Sequence, residues 1–146
     1  MKITELIKEK SIKILNSILE LEMSGVIRYT HYSFMIKGHN RIPIVKWMQT
    51  QAQESLDHAT QAGEMITHFK GHPTLKIADL QETYHHNIDD ILKESLEHER
   101  KSLELYYELL EITTGNSVLL EEYARKLIVE EEGHIGEVEK MLKAGN

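Results

Sequence analysis

Apolar residues recur at three- and four-residue intervals along nearly the whole chain, and no stretch alternates in the two-residue period of a strand. The pattern predicts four long amphipathic helices. The first runs from about Ile3 to Lys37 and stops at "KGHNRIP", where Gly38 and Pro43 are break signals. The second runs from about Pro43, a suitable first-turn proline, to Lys70, where "KGHP" ends it. The third spans about Asn87 to Gly115, and the fourth about Ser117 to Lys143. Lengths of about 27 to 35 residues exceed those of ordinary globular helices and suit a bundle.

The connections set the expected topology. Short turns join the first helix to the second and the third to the fourth, so each pair is predicted to be an antiparallel hairpin. Between the hairpins lies "GHPTLKIADLQETYHH", long enough to run the length of a bundle. Two hairpins joined by one long crossover make an all-α, ferritin-like four-helix bundle, here without a fifth helix. Residues 1–146 are expected to form a single domain.

The predicted inner stripes carry acids. In the fourth helix Leu120, Tyr123, Leu127, Glu131, His134, Val138 and Leu142 share one face. Glu130, Glu132 and Glu137 fall on other faces and are expected to be solvated. The third helix places Glu99 among Leu92, Leu96, Leu103, Tyr106 and Leu110. In the first, Glu22 lies among Ile18, Gly25, Tyr29, Tyr32 and Ile36. The second offers Ile44, Trp47, Gln51, then Glu54 or Ser55, then His58, Ala62, Met65 and Phe69.

A single glutamate on such a stripe is commonly a surface residue out of phase or half of an ion pair, and a single histidine a hydrogen-bonded core residue. Four converging acids are another matter. Buried carboxylates are costly unless paired or metal-bound, and the stripes supply no Lys or Arg. The Glu-x-x-His spacing of Glu131 and His134 aims both side chains at one point. Four carboxylates and two imidazoles suit a pair of hard-to-borderline divalent ions such as iron or manganese. His85 and His86 are a possible surface metal pair, more simply solvated, and His31, His39, His68, His72 and His98 show no partner pattern.

Composition narrows the chemistry further. The net charge of −7 argues against nucleic acid as the main partner. With no cysteine, thiolate zinc sites, iron–sulfur clusters, disulfides and thiol catalysis are excluded. The N-terminus does not read as a signal peptide, and no apolar run approaches a membrane span. A cytoplasmic protein with no membrane partner is the expectation.

"LELEMSGVIRYTHYSF" and "EEEGHIGEVE" resemble the bacterioferritins, and the resemblance covers nearly the whole chain. It implies that Glu22 and Glu99 are terminal metal-binding acids, Glu131 a metal-bridging acid, and His58 and His134 the histidine ligands. It places Tyr29 beside the di-iron site, as a hydrogen-bond donor, a one-electron source or simply a core tyrosine. It further implies two iron ions per chain, with manganese as the alternative metal, and oxidation of Fe(II) by dioxygen or peroxide for storage or detoxification. A homo-oligomer, at least a dimer, follows from the same likeness.

Three departures qualify the match. Ser55 stands where the family has the acid of its second Glu-x-x-His, so Glu54, four residues before His58, is the expected substitute bridge, with an altered or weakened second bridge as the alternative. Leu56 stands where the family has its haem-ligating methionine, so haem is not expected, and Met48 and Met65 read as core. The family's short fifth helix, which closes channels in its shell, is not expected here, and assembly into that shell is left open. Alternatives on the same bundle are a rubrerythrin-like peroxidase, a manganese catalase and a Dps-like protective shell protein.

Overall fold

The structure, a computed structural model, describes residues 3–143. Met1, Lys2 and residues 144–146 of the expected domain lie outside the described residues. Four helices make up the fold: α1 (Glu5–Met35), α2 (Arg41–His68), α3 (Ile88–Thr113) and α4 (Val118–Leu142). Each lies within a few residues of its predicted bounds. Thr4, Asn87 and Ser117 begin α1, α3 and α4, their side chains accepting the backbone N–H of Ile7, Asp90 and Leu120. Caps of this kind stabilise a helix by about 1 kcal/mol each. Helix α2 starts slightly earlier than expected, with Asn40 making no side-chain cap, and Pro43 falls in its first turn, where a missing N–H is harmless. Gly38 and Gly115 adopt φ of +100° and +78°, the left-handed backbone that each hairpin turn needs.

The crossover, residues 69–87, is tied along α1. Asn16 donates to the His72 carbonyl at 3.2 Å and accepts the Thr74 N–H at 2.9 Å; further along, the Ala78 N–H reaches the Glu20 carbonyl at 3.0 Å. These bonds carry the chain parallel to α1 from one end of the bundle to the other. Helix α3 therefore returns antiparallel to α1, with Tyr29 opposite Glu99 and Glu22 opposite Ser102. The result is the ferritin-like four-helix arrangement, with no strand among the described residues.

The core is divided. One apolar cluster gathers Leu15, Ile18, Ala62, Ile66, Leu109, Leu120 and Leu127; the other gathers Tyr29, Ile36, Met48, Ile91, Leu92, Ile135 and Val138. Between them every helix contributes buried polar groups: Glu22, Ser55, His58, His98, Glu99, Ser102 and Glu131. A fully buried Leu or Ile contributes roughly 1.5–3 kcal/mol, so two apolar clusters hold the bundle closed around a polar belt that would not hold itself.

Candidate metal centre

The belt brings Glu22, His58, Glu99, Glu131 and His134 together. Glu22, His58 and Glu131 form one group, and Glu99, Glu131 and His134 a second, with one donor atom from each residue lying within 4.8 Å of the others in its group. Glu131 belongs to both. His58 Nδ1 lies 3.1 Å from Glu22 Oε2 and 3.3 Å from Glu131 Oε1. His58 Nδ1 and Glu22 Oε2 are also hydrogen-bonded; donors bound about 2.1 Å from one ion sit roughly 2.9–3.4 Å from each other, so these separations would also fit the edges of a coordination polyhedron. Among the described residues no Lys or Arg forms an ion pair with Glu22, Glu99 or Glu131. Glu131 Oε2 is buried with no hydrogen-bond partner, an atom that a bound cation would satisfy. The donor set, carboxylate and imidazole without sulfur, fits iron or manganese.

Glu54 lies elsewhere than the expected bridge. Its carboxylate meets the Nε2 of His134 at 2.5 Å and belongs to neither three-residue group. Glu130, expected to be solvated, makes the matching contact across the bundle, with its Oε2 2.9 Å from His58 Nε2. Burial explains the difference: His58 points its Nδ1 inward, so its outer nitrogen needs a partner at the rim and Glu130 supplies one. A carboxylate on the far nitrogen of a metal-binding histidine fixes its tautomer and raises its basicity. Ser55 is buried with its Oγ beside Gly25 of α1, so α2 brings no carboxylate to the position that Glu131 holds on α4.

Electrostatics follow from packing several acids in a dry interior. Burial, reinforced by the proximity of Glu131, holds Glu99 protonated well above the usual carboxylate range. Burial also raises Glu22, although His58 and the Ser102 hydroxyl, which donates to it at 3.0 Å, oppose the shift. For His58 burial disfavours charge, but contacts with Glu131 and Glu22 outweigh it and push its pKa up to about 11. The protonated imidazole thus serves as the centre's own counter-ion, and a divalent ion would displace this proton and those of the acids. Tyr29 donates its hydroxyl to Glu99; burial and that carboxylate together hold the phenol protonated.

One feature was not legible as pattern. His98 is buried, its ring packed edge-on with Tyr29, and burial followed by the charges of Arg28 and Lys101 lowers its pKa to about 4. It fits because Gly25 carries no side chain: a Cβ there would stand 2.8 Å from His98 Nε2 and 2.9 Å from Ser55 Oγ. The pairing of a glycine on the α1 stripe with a histidine just before Glu99 was its only trace in the sequence. Leu56 lies exposed on α2, while Met48 is core.

Known proteins share this fold. Among solved structures, a ferritin-like di-iron carboxylate protein from Bacillus anthracis superposes with a TM-score of 0.90 at 20% identity, covering 96% of this chain and 100% of its own. Bacterioferritin from Desulfovibrio desulfuricans, solved with its di-iron site in different catalytic states, gives a TM-score of 0.85 at 20% identity over 93% of this chain and 80% of its own. A dodecameric thioferritin from Bacteroides fragilis, described as bacterioferritin-related, gives 0.82 at 20% identity over 92% and 85%. No curated protein matches the chain. At such identities these likenesses establish the fold alone. The sequence model described as "Ferritin-like domain" matches residues 12–146, and with that match the chain belongs to the ferritin-like domain family.

Proposed function

We propose that this protein is a ferroxidase that binds two Fe(II) ions as substrate within one subunit and oxidises them to Fe(III), for storage or detoxification. The observation that carries the reading is Glu131: one buried carboxylate shared by two donor groups, with an oxygen lacking any partner. Glu22 and His58 would hold one ion, Glu99 and His134 the other, and Glu131 would bridge them. Each Fe(II) gives up one electron, and the pair of electrons reduces dioxygen to peroxide or peroxide to water. Anionic oxygen ligands favour the higher charge of the ferric product. Tyr29 acts here by holding Glu99 in place through its hydroxyl.

The shared carboxylate also weighs against a Dps-like arrangement, since both donor groups come from one chain. Ile27 and Phe34, exposed on one face of α1, and Leu56 on α2 support pairing of subunits through these helices in a homo-oligomer. No helix among the described residues is long and apolar enough to cross a membrane. A cytoplasmic setting belongs to the same proposal.

An anaerobic Fe(II) titration followed by admission of oxygen tests it, with wild type beside Glu131→Ala. Binding of about two irons per chain, with fast oxidation lost in the variant, is expected. Less than one iron per chain, or oxidation indifferent to the substitution, overturns the reading. Parallel titration with Mn(II), with a catalase assay, separates it from a manganese enzyme on the same bundle.

A further inference from the structure

Outside the polar belt, on the flank where the crossover ends, three side chains from three segments converge. His31 comes from the outer face of α1, Glu82 from the crossover, and His86 from the residue before the Asn87 cap of α3. We propose that His31, Glu82 and His86 form a second, mononuclear site for a divalent transition-metal ion, separate from the central site and independent of its function.

The geometry carries this. Glu82 Oε2 lies 2.9 Å from His31 Nε2, and Glu82 Oε1 lies 3.3 Å from His86 Nε2. These again are the edges expected, roughly 2.9–3.4 Å, for donors about 2.1 Å from a common ion. Neither contact is a hydrogen bond: both Nε2 atoms are shielded from solvent and neither has a hydrogen-bond partner. Two orphaned imidazole nitrogens facing one carboxylate is an arrangement that a cation completes.

The segment is also built to hold Glu82. The Tyr84 N–H donates to Glu82 Oε1 at 2.7 Å, and the Thr83 hydroxyl donates to Glu94 on α3 at 3.0 Å. Tyr84 takes a φ of 59°, a left-handed conformation that a bulky residue adopts only when its surroundings impose it, and the chain turns there to bring His86 beside Glu82. The two imidazole rings end with centroids 5.5 Å apart. Backbone strain of this sort, at the one turn that gathers three donors, goes with a site.

Two imidazoles and one carboxylate select Zn(II), Co(II), Ni(II) or Fe(II) over Mg(II) and Ca(II), which prefer all-oxygen shells. About two-fifths of each of the His31 and Glu82 side chains is exposed, at 40% and 38%, so an ion can enter and water can fill the remaining positions. Bound there, it would pin the crossover to α1 and to the start of α3.

Co(II) titration of a Glu22→Ala/Glu131→Ala protein, followed by visible absorption, reads this site with the central one removed. One equivalent binding with a Kd of roughly micromolar or tighter is expected, together with the d–d bands of nitrogen–oxygen coordination. Adding His31→Ala and His86→Ala should weaken that equivalent by at least about a hundredfold while helical circular dichroism is unchanged. Absence of binding in the first protein, or binding that survives the histidine substitutions, overturns the proposal. Should removal of the central acids prevent folding, His31→Ala/His86→Ala in the otherwise native chain should lower bound Zn(II) by one equivalent, and an unchanged count would overturn it equally.

Discussion

Helices α2 and α4 carry two versions of the same local design, and at the positions that meet the centre they differ at one residue. Each has an acid at the rim, then an inward position, then a histidine three residues on: Glu54, Ser55, His58 on α2, and Glu130, Glu131, His134 on α4. The rim acids behave alike, each reaching the Nε2 of the other helix's histidine. The inward positions do not. Glu131 enters both donor groups, whereas Ser55 packs against Gly25 and contributes no charge. An acid one position along a helix is turned by about 100°. That rotation is enough to make Glu54 a partner of an imidazole instead of a bridge, although its spacing to His58 allowed either.

The largest effect should come from removing the one inward acid that α2 and α4 hold between them. Glu131→Ala is expected to lower the rate of iron oxidation by on the order of a hundredfold or more, read by stopped-flow absorbance. Restoring symmetry is the complementary change: Ser55→Glu should tighten binding of the second metal by about tenfold or more in an anaerobic titration. An unchanged affinity there would mean that Glu54 already fills the bridging role. The rim acids should matter less and equally, with Glu54→Gln and Glu130→Gln each weakening metal affinity by about 10–100-fold through the histidines they orient. If Glu54→Gln matched Glu131→Ala and Glu130→Gln did not, the equivalence drawn between the two helices would fail.

Smaller effects belong to the packing behind Ser55. Gly25→Ala would drive a methyl into His98 and Ser55 and should cost about 1–3 kcal/mol of stability, measured by denaturant unfolding. The same neighbourhood should show in the acid limb of stability. With a folded pKa of about 4, His98 stays neutral where the unfolded chain takes up a proton. Its contribution is therefore constant above about pH 6.5 and is lost progressively as pH falls from there through 4. His98→Leu should flatten that part of the profile by up to about 3 kcal/mol, and an unaltered slope would show that other groups govern it.

The helices, their order and the long crossover were legible because period, caps and breakers are local properties. Asn87 and Ser117 announce helix starts, and Gly38 and Gly115 announce turns, whatever surrounds them. Five of the six expected ligand residues were placed together for the same reason, since each sits in phase with an apolar stripe. Glu54 was the exception because spacings of three and four cannot be told apart without knowing how the helix is rotated. Glu130 was read as solvated because its partner comes from another helix.

By itself the sequence determined an all-α bundle of two hairpins and a belt of carboxylates and imidazoles at its mid-height. Helix periodicity is written residue by residue, and charge on an apolar stripe has nowhere to go but inward. Only the tertiary structure decided which acid of an adjacent pair points at the centre and which at the rim, how deeply His98 sinks past Gly25, and that His31, Glu82 and His86 meet at all. Those depend on helix rotation and on the path of a crossover that brings residues about 50 positions apart into contact. Such contacts are set by the packing of whole helices, and no local pattern carries them.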